Sequence, residues 1–289
     1  MHEFLRSIGF AQITNKKQLK PLMDWVIENP DHLSVVSVSA ENNLAVAERE
    51  VSGHAGVAVV GELDERGVLV PEYYYPYITS THISSEAHIS YEPQSDKDGF
   101  IGMCEDFRLG MSLIFNIRNI TEVIREEQND GFDTPYRKVI LSALASDATV
   151  LLPIAENERV LKENRREAHQ RLLQDASTGD PQAMETLAGE DLRTYTKVMN
   201  RLHDTDIFTL VDNFFMPYGM ASDRYYFMGR ILARQLLTNS ITGEKFYRIL
   251  VDSNGVKLLT AVNEQDIMGV PEIGCRLKCH AWLSGEIKK

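Results

Sequence analysis

The sequence predicts an α+β fold in three parts. An N-terminal antiparallel sheet with flanking helices spans residues 1–155, and a helical-hairpin connector spans 156–205. A small C-terminal β-barrel of the oligonucleotide/oligosaccharide-binding (OB) type spans 206–289. Three observations carry this expectation. Apolar residues alternate with a period of two between residues 34 and 117 and again between 224 and 287. They recur at helical spacing in 16–28 and in the connector. Ser253-Asn254-Gly255 separates two of the C-terminal strands with a strong hairpin signal.

The elements follow in order. Residues 3–8 form a helical turn or two ending at Gly9. A longer helix runs from Lys16 to Glu28, with Leu19, Leu22, Met23, Val26 and Ile27 on one face, and Asn29-Pro30 stops it. Strands are expected at 34–38, 44–47, 57–60, 68–77, 88–91 and 112–117, separated by polar or glycine turns. Strands in succession without helices between them indicate an antiparallel meander. Asp133-Thr134-Pro135 reads as a capped helix start, giving a helix to about Ala145 and then a short strand at 150–152.

Residues 156–176 are helical but sparsely apolar, and Leu192, Tyr195, Met199 and Leu202 mark a second connector helix. Gly179-Asp180-Pro181-Gln182-Ala183 is like a helical-repeat signature, but one copy makes no array. Four strands then fit at 224–236, 245–251, 256–262 and 276–287.

Charge narrows the function classes. The chain carries a net −12, unevenly spread. Residues 1–155 hold 12 basic and 23 acidic side chains, a net −11, whereas residues 206–289 hold 10 and 9, a net +1. An acidic N-terminal region repels phosphate backbones and anionic membranes, so nucleic acid is an expected partner only through the C-terminal part. No apolar run reaches the ~18 residues of a membrane span. The opening Met1–Arg6 lacks a signal-peptide pattern, and three cysteines (Cys104, Cys275, Cys279) make no disulfide framework. A cytoplasmic location is expected.

The segments 206–219 (DIFTLVDNFFMPYG), 239–251 (NSITGEKFYRILV) and 270–287 (VPEIGCRLKCHAWLSGEI), with the opening MHEFLRSIGF, resemble a family of uncharacterised proteins from anaerobic Firmicutes. That family is known only as a domain of unknown function. The resemblance covers nearly the whole chain and implies a cytoplasmic bacterial housekeeping or accessory protein, without an activity. It also implies that the positions of Cys275 and Cys279 are not cysteines in relatives.

Several constellations imitate chemistry. His82, Ser84, Glu86 and His88 alternate along one face, but His82 and His88 lie ~20 Å apart in an extended strand, too far to share an ion. Glu86 with His88 forms a possible acid–base pair, and a polar, solvated sheet face is the preferred reading. Cys275, Cys279 and His280 suggest ligands, yet neighbouring strand residues diverge and no fourth ligand follows. Thr242-Gly243-Glu244-Lys245 reads as a hairpin turn. Asp204-Thr205-Asp206 ends a helix, and Gly53-His54-Ala55-Gly56 lacks the strand–loop–helix setting of a phosphate loop. No catalytic residue, cofactor or metal ligand is assigned.

One arrangement has the makings of a binding surface. Alternation places Arg276, Lys278, His280 and Trp282 on one face, with Leu277, Cys279, Ala281 and Leu283 on the other. The neighbouring strand offers Arg224, Tyr226 and Arg230. Basic groups interleaved with aromatics suit single-stranded nucleic acid or another anionic ligand, but a net +1 supplies little attraction. The function expected is that of a non-catalytic cytoplasmic interaction or regulatory protein with an unknown protein partner. The alternatives are this OB-like anion-binding module and an enzyme using a pair such as Glu86 with His88.

Overall fold

The computed structural model describes residues 3–38, 42–93, 99–130, 136–153, 173, 182 and 211–289. A 3-10 turn at Glu3–Ile8 buries Phe4, Leu5 and Ile8. Helix α1 (Lys16–Glu28) follows, capped by Asn15, whose side chain accepts from the Gln18 amide at 3.0 Å. Its inward stripe of Leu19, Leu22 and Val26 is the 3.6-period face expected from the sequence.

Strands β1 (His32–Ser37), β2 (Asn43–Ser52), β3 (Ala55–Leu63) and β4 (Leu69–Ile78) form a four-stranded antiparallel meander in sequence order. β5 (Ser85–Pro93), β6 (Phe100–Asp106) and β7 (Met111–Ile117) make a second meander, and α2 (Ile120–Asp130) follows. From α2, Arg125 donates to the Val35 carbonyl at 2.9 Å and Gln128 to the Ser37 carbonyl at 2.7 Å. The helix thus satisfies backbone groups on the outer edge of β1.

Next come β8 (Tyr136–Leu151), β9 (Phe214–Pro217), β10 (Arg224–Thr238), β11 (Lys245–Ser253), β12 (Val256–Asn263), the two-residue β13 (Ile267–Met268) and β14 (Arg276–Lys288). Asn254 (φ 59°) and Gly255 (φ 82°) make the tight β11–β12 turn, where left-handed backbone selects Asn-Gly. β5 to β14 belong to one ten-stranded sheet whose pairings close on themselves twice. One ring runs β8–β12–β11–β10–β14 and the other β8–β5–β6–β7–β14, with the antiparallel β8–β14 pair common to both.

This architecture corrects the expected fold class. Strands make up 57% of the described residues and helices 16%, in two sheets. The C-terminal strands do not make an OB-like barrel of their own: β8, from the N-terminal half, completes their ring through a parallel pairing with β12 at Ser142–Leu144. Met1–Leu151 and Asn213–Lys289 form one compact unit, and Leu152–Asp212 a second. The expected connector at 156–205 falls, but for 173 and 182, outside the described residues, as do Gly179–Pro181 and Asp204–Asp206.

The helix expected up to Ala145 is instead the long strand β8, and its proposed start at 133–135 lies outside the described residues. The Ala- and Leu-rich stretch 139–145 satisfies a helical pattern, but in the fold both of its faces are covered, so alternation is invisible there. α2 and β6 were not apparent from periodicity.

Two apolar clusters fill the unit. One lies within the ten-stranded sheet, around Leu113, Phe115, Tyr225, Phe227, Leu277 and Leu283. The other lies between the two sheets, where Phe4, Leu5, Ile8, Val59, Phe246 and Trp282 meet. Each such large side chain contributes on the order of 1.5–3 kcal/mol on burial.

Candidate functional site

Strand register puts the seven expected ligand-binding residues on neighbouring strands: Arg224 opposite Trp282, Tyr226 opposite His280, Arg230 opposite Arg276, and Lys278 opposite Met228. The Tyr226 and His280 rings stack at 4.2 Å with 12° between planes, and Tyr218 covers the imidazole at 4.3 Å. A bulge at Ser146 turns Asp147 toward His280, whose Nδ1 lies 3.0 Å from both carboxylate oxygens.

The rest of the set is not a free platform. Trp282 is only 4% exposed, packs against Phe4 and Tyr75, and donates its indole N–H to Asp223 at 2.6 Å. Arg276 is buried, and Lys278 is half-buried opposite Met228. Arg224 is paired with Glu3 at 2.8 Å and lies over the Phe4 ring. Arg230 alone of the seven is exposed. Trp282 thus belongs to the core, Arg224 already faces Glu3, and His280 lies against Asp147.

Glu86 and His88 are exposed along β5, opposite Lys138 and Tyr136, on an open sheet face. His82 precedes the strand. The cysteines are buried thiols, and Cys279 points into the core while His280 points outward. Burial pushes the Cys279 thiol well above its ordinary range, and burial beside Asp106 pushes Cys104 up to about 12. Among the described residues no group of His, Cys, Asp and Glu is arranged to hold a metal ion.

Three hollows stand out among the described residues. A cleft of about 390 Å³ beside Ile83 and Phe107 is floored by Ser84, Ser85, Asp106 and Arg108. Asp106 accepts from the Ser85 hydroxyl at 2.6 Å and from the Arg108 amide and Nε at 2.9 and 3.0 Å. The same guanidinium donates to the Ser84 and Gly255 carbonyls at 2.6 and 2.7 Å. These bonds clamp the β6–β7 turn to β5 and to the β11–β12 turn.

Burial alone raises the Asp106 pKa, but bonds from Arg108 and Ser85 outweigh it and hold the carboxyl below its usual 3.8. A carboxylate whose pKa is depressed by folding stabilises the fold above its unfolded pKa and loses that contribution as pH falls through the folded value. Asp106→Asn is therefore expected to lower stability by about 1–3 kcal/mol at pH 7. The gap to the wild type should close in urea titrations run at pH values below 3.8.

A smaller crevice of about 100 Å³ gathers Glu48 of β2, Arg118 and Glu122 at the β7–α2 junction, and Glu286 and Lys288 of β14. Arg118 donates to Glu48 at 2.9 Å, pairs with Glu286 and lies over the Tyr77 ring at 5.0 Å. Lys288 bridges Glu286 and Glu122, each at 3.2 Å. Its charges answer one another across the two sheets, which makes it a strut.

The third hollow is apolar. Pro21, Leu22 and Trp25 of α1 form one wall, Phe10 and Ile13 the floor, and Ile241 and Thr242 of the β10–β11 turn the other wall, around about 390 Å³. Ile241 is 47% exposed, and Trp25 is half-buried with the Arg49 guanidinium 5.0 Å from its ring.

A family model described as a domain of unknown function with an E. rectale gene description (DUF3881) matches residues 5–285. The chain belongs to this family. No curated protein and no solved structure matches it. The expected resemblance to an uncharacterised family of Firmicutes is thus borne out. Membership in DUF3881 brings no activity, so function rests on geometry. Among the described residues, no helix is long and apolar enough to cross a membrane.

The α1 groove escaped the sequence reading because its residues come from three segments. Trp25 and Pro21 were the available signal. Pro21 is exposed and Trp25 packs only partly buried against the core, and a partly uncovered Trp is a common interface anchor.

Proposed function

We propose that this chain is a non-catalytic, cytoplasmic interaction protein that receives a segment of a partner polypeptide in the groove between α1 and the β10–β11 turn. One observation carries the reading: the groove is walled by apolar and aromatic side chains left partly uncovered by the chain's own packing. Apolar concavities with a few polar groups at the rim are the ordinary receptor for a side-chain anchor. Gln12, Gln18 and Thr242 supply those rim groups. The floor of the first cleft and the charged groups of the second crevice are already bonded among themselves, which leaves those groups less for a ligand to gain.

Selection of displayed random peptides on the wild-type protein tests this. Enriched peptides are expected to lose binding by about tenfold or more, roughly the worth of one well-packed anchor, when Ile241→Glu places a charge in the groove. Ile241 is exposed and this variant should fold normally. No enrichment, or enriched peptides that bind Ile241→Glu as well as wild type, overturns the reading.

A further inference from the structure

We infer that Asn254 is a site of spontaneous deamidation, held in check by a clasp between the β6–β7 and β11–β12 turns. Asn254-Gly255 makes the β11–β12 turn, and both residues are half-buried, so water reaches them. The clasp is reciprocal. The Asn254 side-chain amide donates through Nδ2 to the Arg108 carbonyl at 2.5 Å, and the Arg108 guanidinium donates back to the Gly255 carbonyl at 2.7 Å. The Gly255 amide N–H is held by the Asp252 carboxylate at 2.7 Å. The two groups that deamidation consumes, Nδ2 of Asn254 and the N–H of Gly255, are therefore both engaged in the folded chain.

The chemistry needs no reactant other than water. The Gly255 amide nitrogen attacks Cγ of Asn254, and a glycine there has no Cβ to obstruct the approach. The N–Cγ bond forms, the Cγ–Nδ2 bond breaks, and Nδ2 leaves as ammonia with the proton that the glycine nitrogen gives up. Water then opens the resulting succinimide ring at one carbonyl or the other, giving aspartate or an isoaspartyl linkage. While the clasp is closed, the glycine nitrogen keeps its proton on Asp252 and the side-chain amide stays turned to Arg108. Reaction waits on local opening of the turn, and its rate follows the population of that opening. The product does not close the clasp again. An aspartate carboxylate only accepts hydrogen bonds, so it meets the Arg108 carbonyl with no donor. An isoaspartyl linkage lengthens the backbone of a two-residue turn whose flanking pairs, Ser253 with Val256 and Asp252 with Lys257, leave no slack. Arg108 also floors the cleft beside Phe107, so the conversion is a one-way change felt at that cleft.

The test incubates the folded protein at mildly alkaline pH beside a synthetic peptide of its tryptic fragment 249–257 (ILVDSNGVK). Chromatography with mass spectrometry separates the Asn, Asp and isoaspartyl forms. Asn254 in the folded chain is expected to convert measurably, but about tenfold or more slower than in the peptide. Arg108→Ala removes the return bond of the clasp and should raise the rate by about tenfold, whereas Trp282→Phe, which loosens the inter-sheet core instead, should leave it unchanged. Asn254→Asp should speed hydrogen exchange of the Leu109 and Gly110 amides, which the closed β6–β7 turn bonds to the Asp106 carbonyl at 3.1 and 3.0 Å. Conversion in wild type as fast as in the peptide overturns the restraint, and that comparison requires no variant to fold. Asn254 intact in wild type and Arg108→Ala alike, while the peptide converts, overturns the site. Equal acceleration by Arg108→Ala and Trp282→Phe makes global unfolding the gate and overturns the clasp. Unchanged exchange in Asn254→Asp overturns the one-way opening.

Discussion

Arg118→Met is expected to destabilise the protein by about 3–5 kcal/mol, because it leaves the largely buried Glu48 without a cation and Glu286 with Lys288 alone. The Arg118 side chain is 13% exposed, and its two partners Glu48 and Glu286 are 17% and 11% exposed. Methionine keeps much of the length and apolar stem of arginine, so the loss is electrostatic rather than a cavity. At roughly 2–4 °C per kcal/mol for a domain of this size, the thermal midpoint should fall by on the order of 10 °C.

Adding Glu48→Gln and Glu286→Gln to the same chain should recover most of the loss, since neutral amides tolerate the missing cation. A triple variant no more stable than Arg118→Met would show that the ion pairs contribute nothing and that Arg118 acts by packing on Tyr77 alone. The strut also explains how the two sheets keep register with each other. Glu48 comes from the four-stranded sheet and Glu286 from the ten-stranded one, and the Arg118 amide donates to the Gly285 carbonyl at 2.9 Å between them.

Such a junction has no signature in the sequence. Glu48, Arg118 and Glu286 are far apart along the chain, and each alone is an ordinary polar residue in a strand or at its end. The C-terminal strands were legible for the opposite reason. Each is a local run of alternation, and Asn254-Gly255 states its turn chemically, so β10, β11, β12 and β14 lie close to where periodicity puts them. Which strands neighbour which was not legible. β8 joins β12 in parallel and β14 in antiparallel fashion, and nothing local in residues 139–145 announces a strand covered on both faces.

The candidate surface shows the same division. Alternation correctly separated Leu277, Cys279, Ala281 and Leu283 from Arg276, Lys278, His280 and Trp282, and it placed Tyr226 beside His280. It does not reveal whether a second layer covers the polar-looking face. The N-terminal 3-10 turn and Tyr75 of β4 do cover it at Trp282, so an apparent stacking residue became part of a core. At the other end of the same face, nothing in the first core overlies His280, which keeps 28% of its side chain in contact with solvent.

Trp282→Ala is expected to cost about 3–5 kcal/mol, the range for removing a large aromatic from a packed interior. Two effects contribute and can be separated. The ring packs 6.2 Å from Phe4 and 6.5 Å from Tyr75, tying the N-terminal turn and β4 to β14. Its indole N–H satisfies the carboxylate of Asp223, a residue only 3% exposed. Trp282→Phe keeps most of the apolar contact and removes the donor, so it should lose about 1–3 kcal/mol, the penalty for leaving a buried acceptor unpaired. Adding Asp223→Asn to Trp282→Phe should then recover part of that loss, because an amide is easier to leave unpaired than a carboxylate. Urea unfolding of the four proteins measures all of this. A Trp282→Ala variant as stable as wild type would mean that the indole is not part of the inter-sheet core, and the stacking role expected for it from the sequence would return.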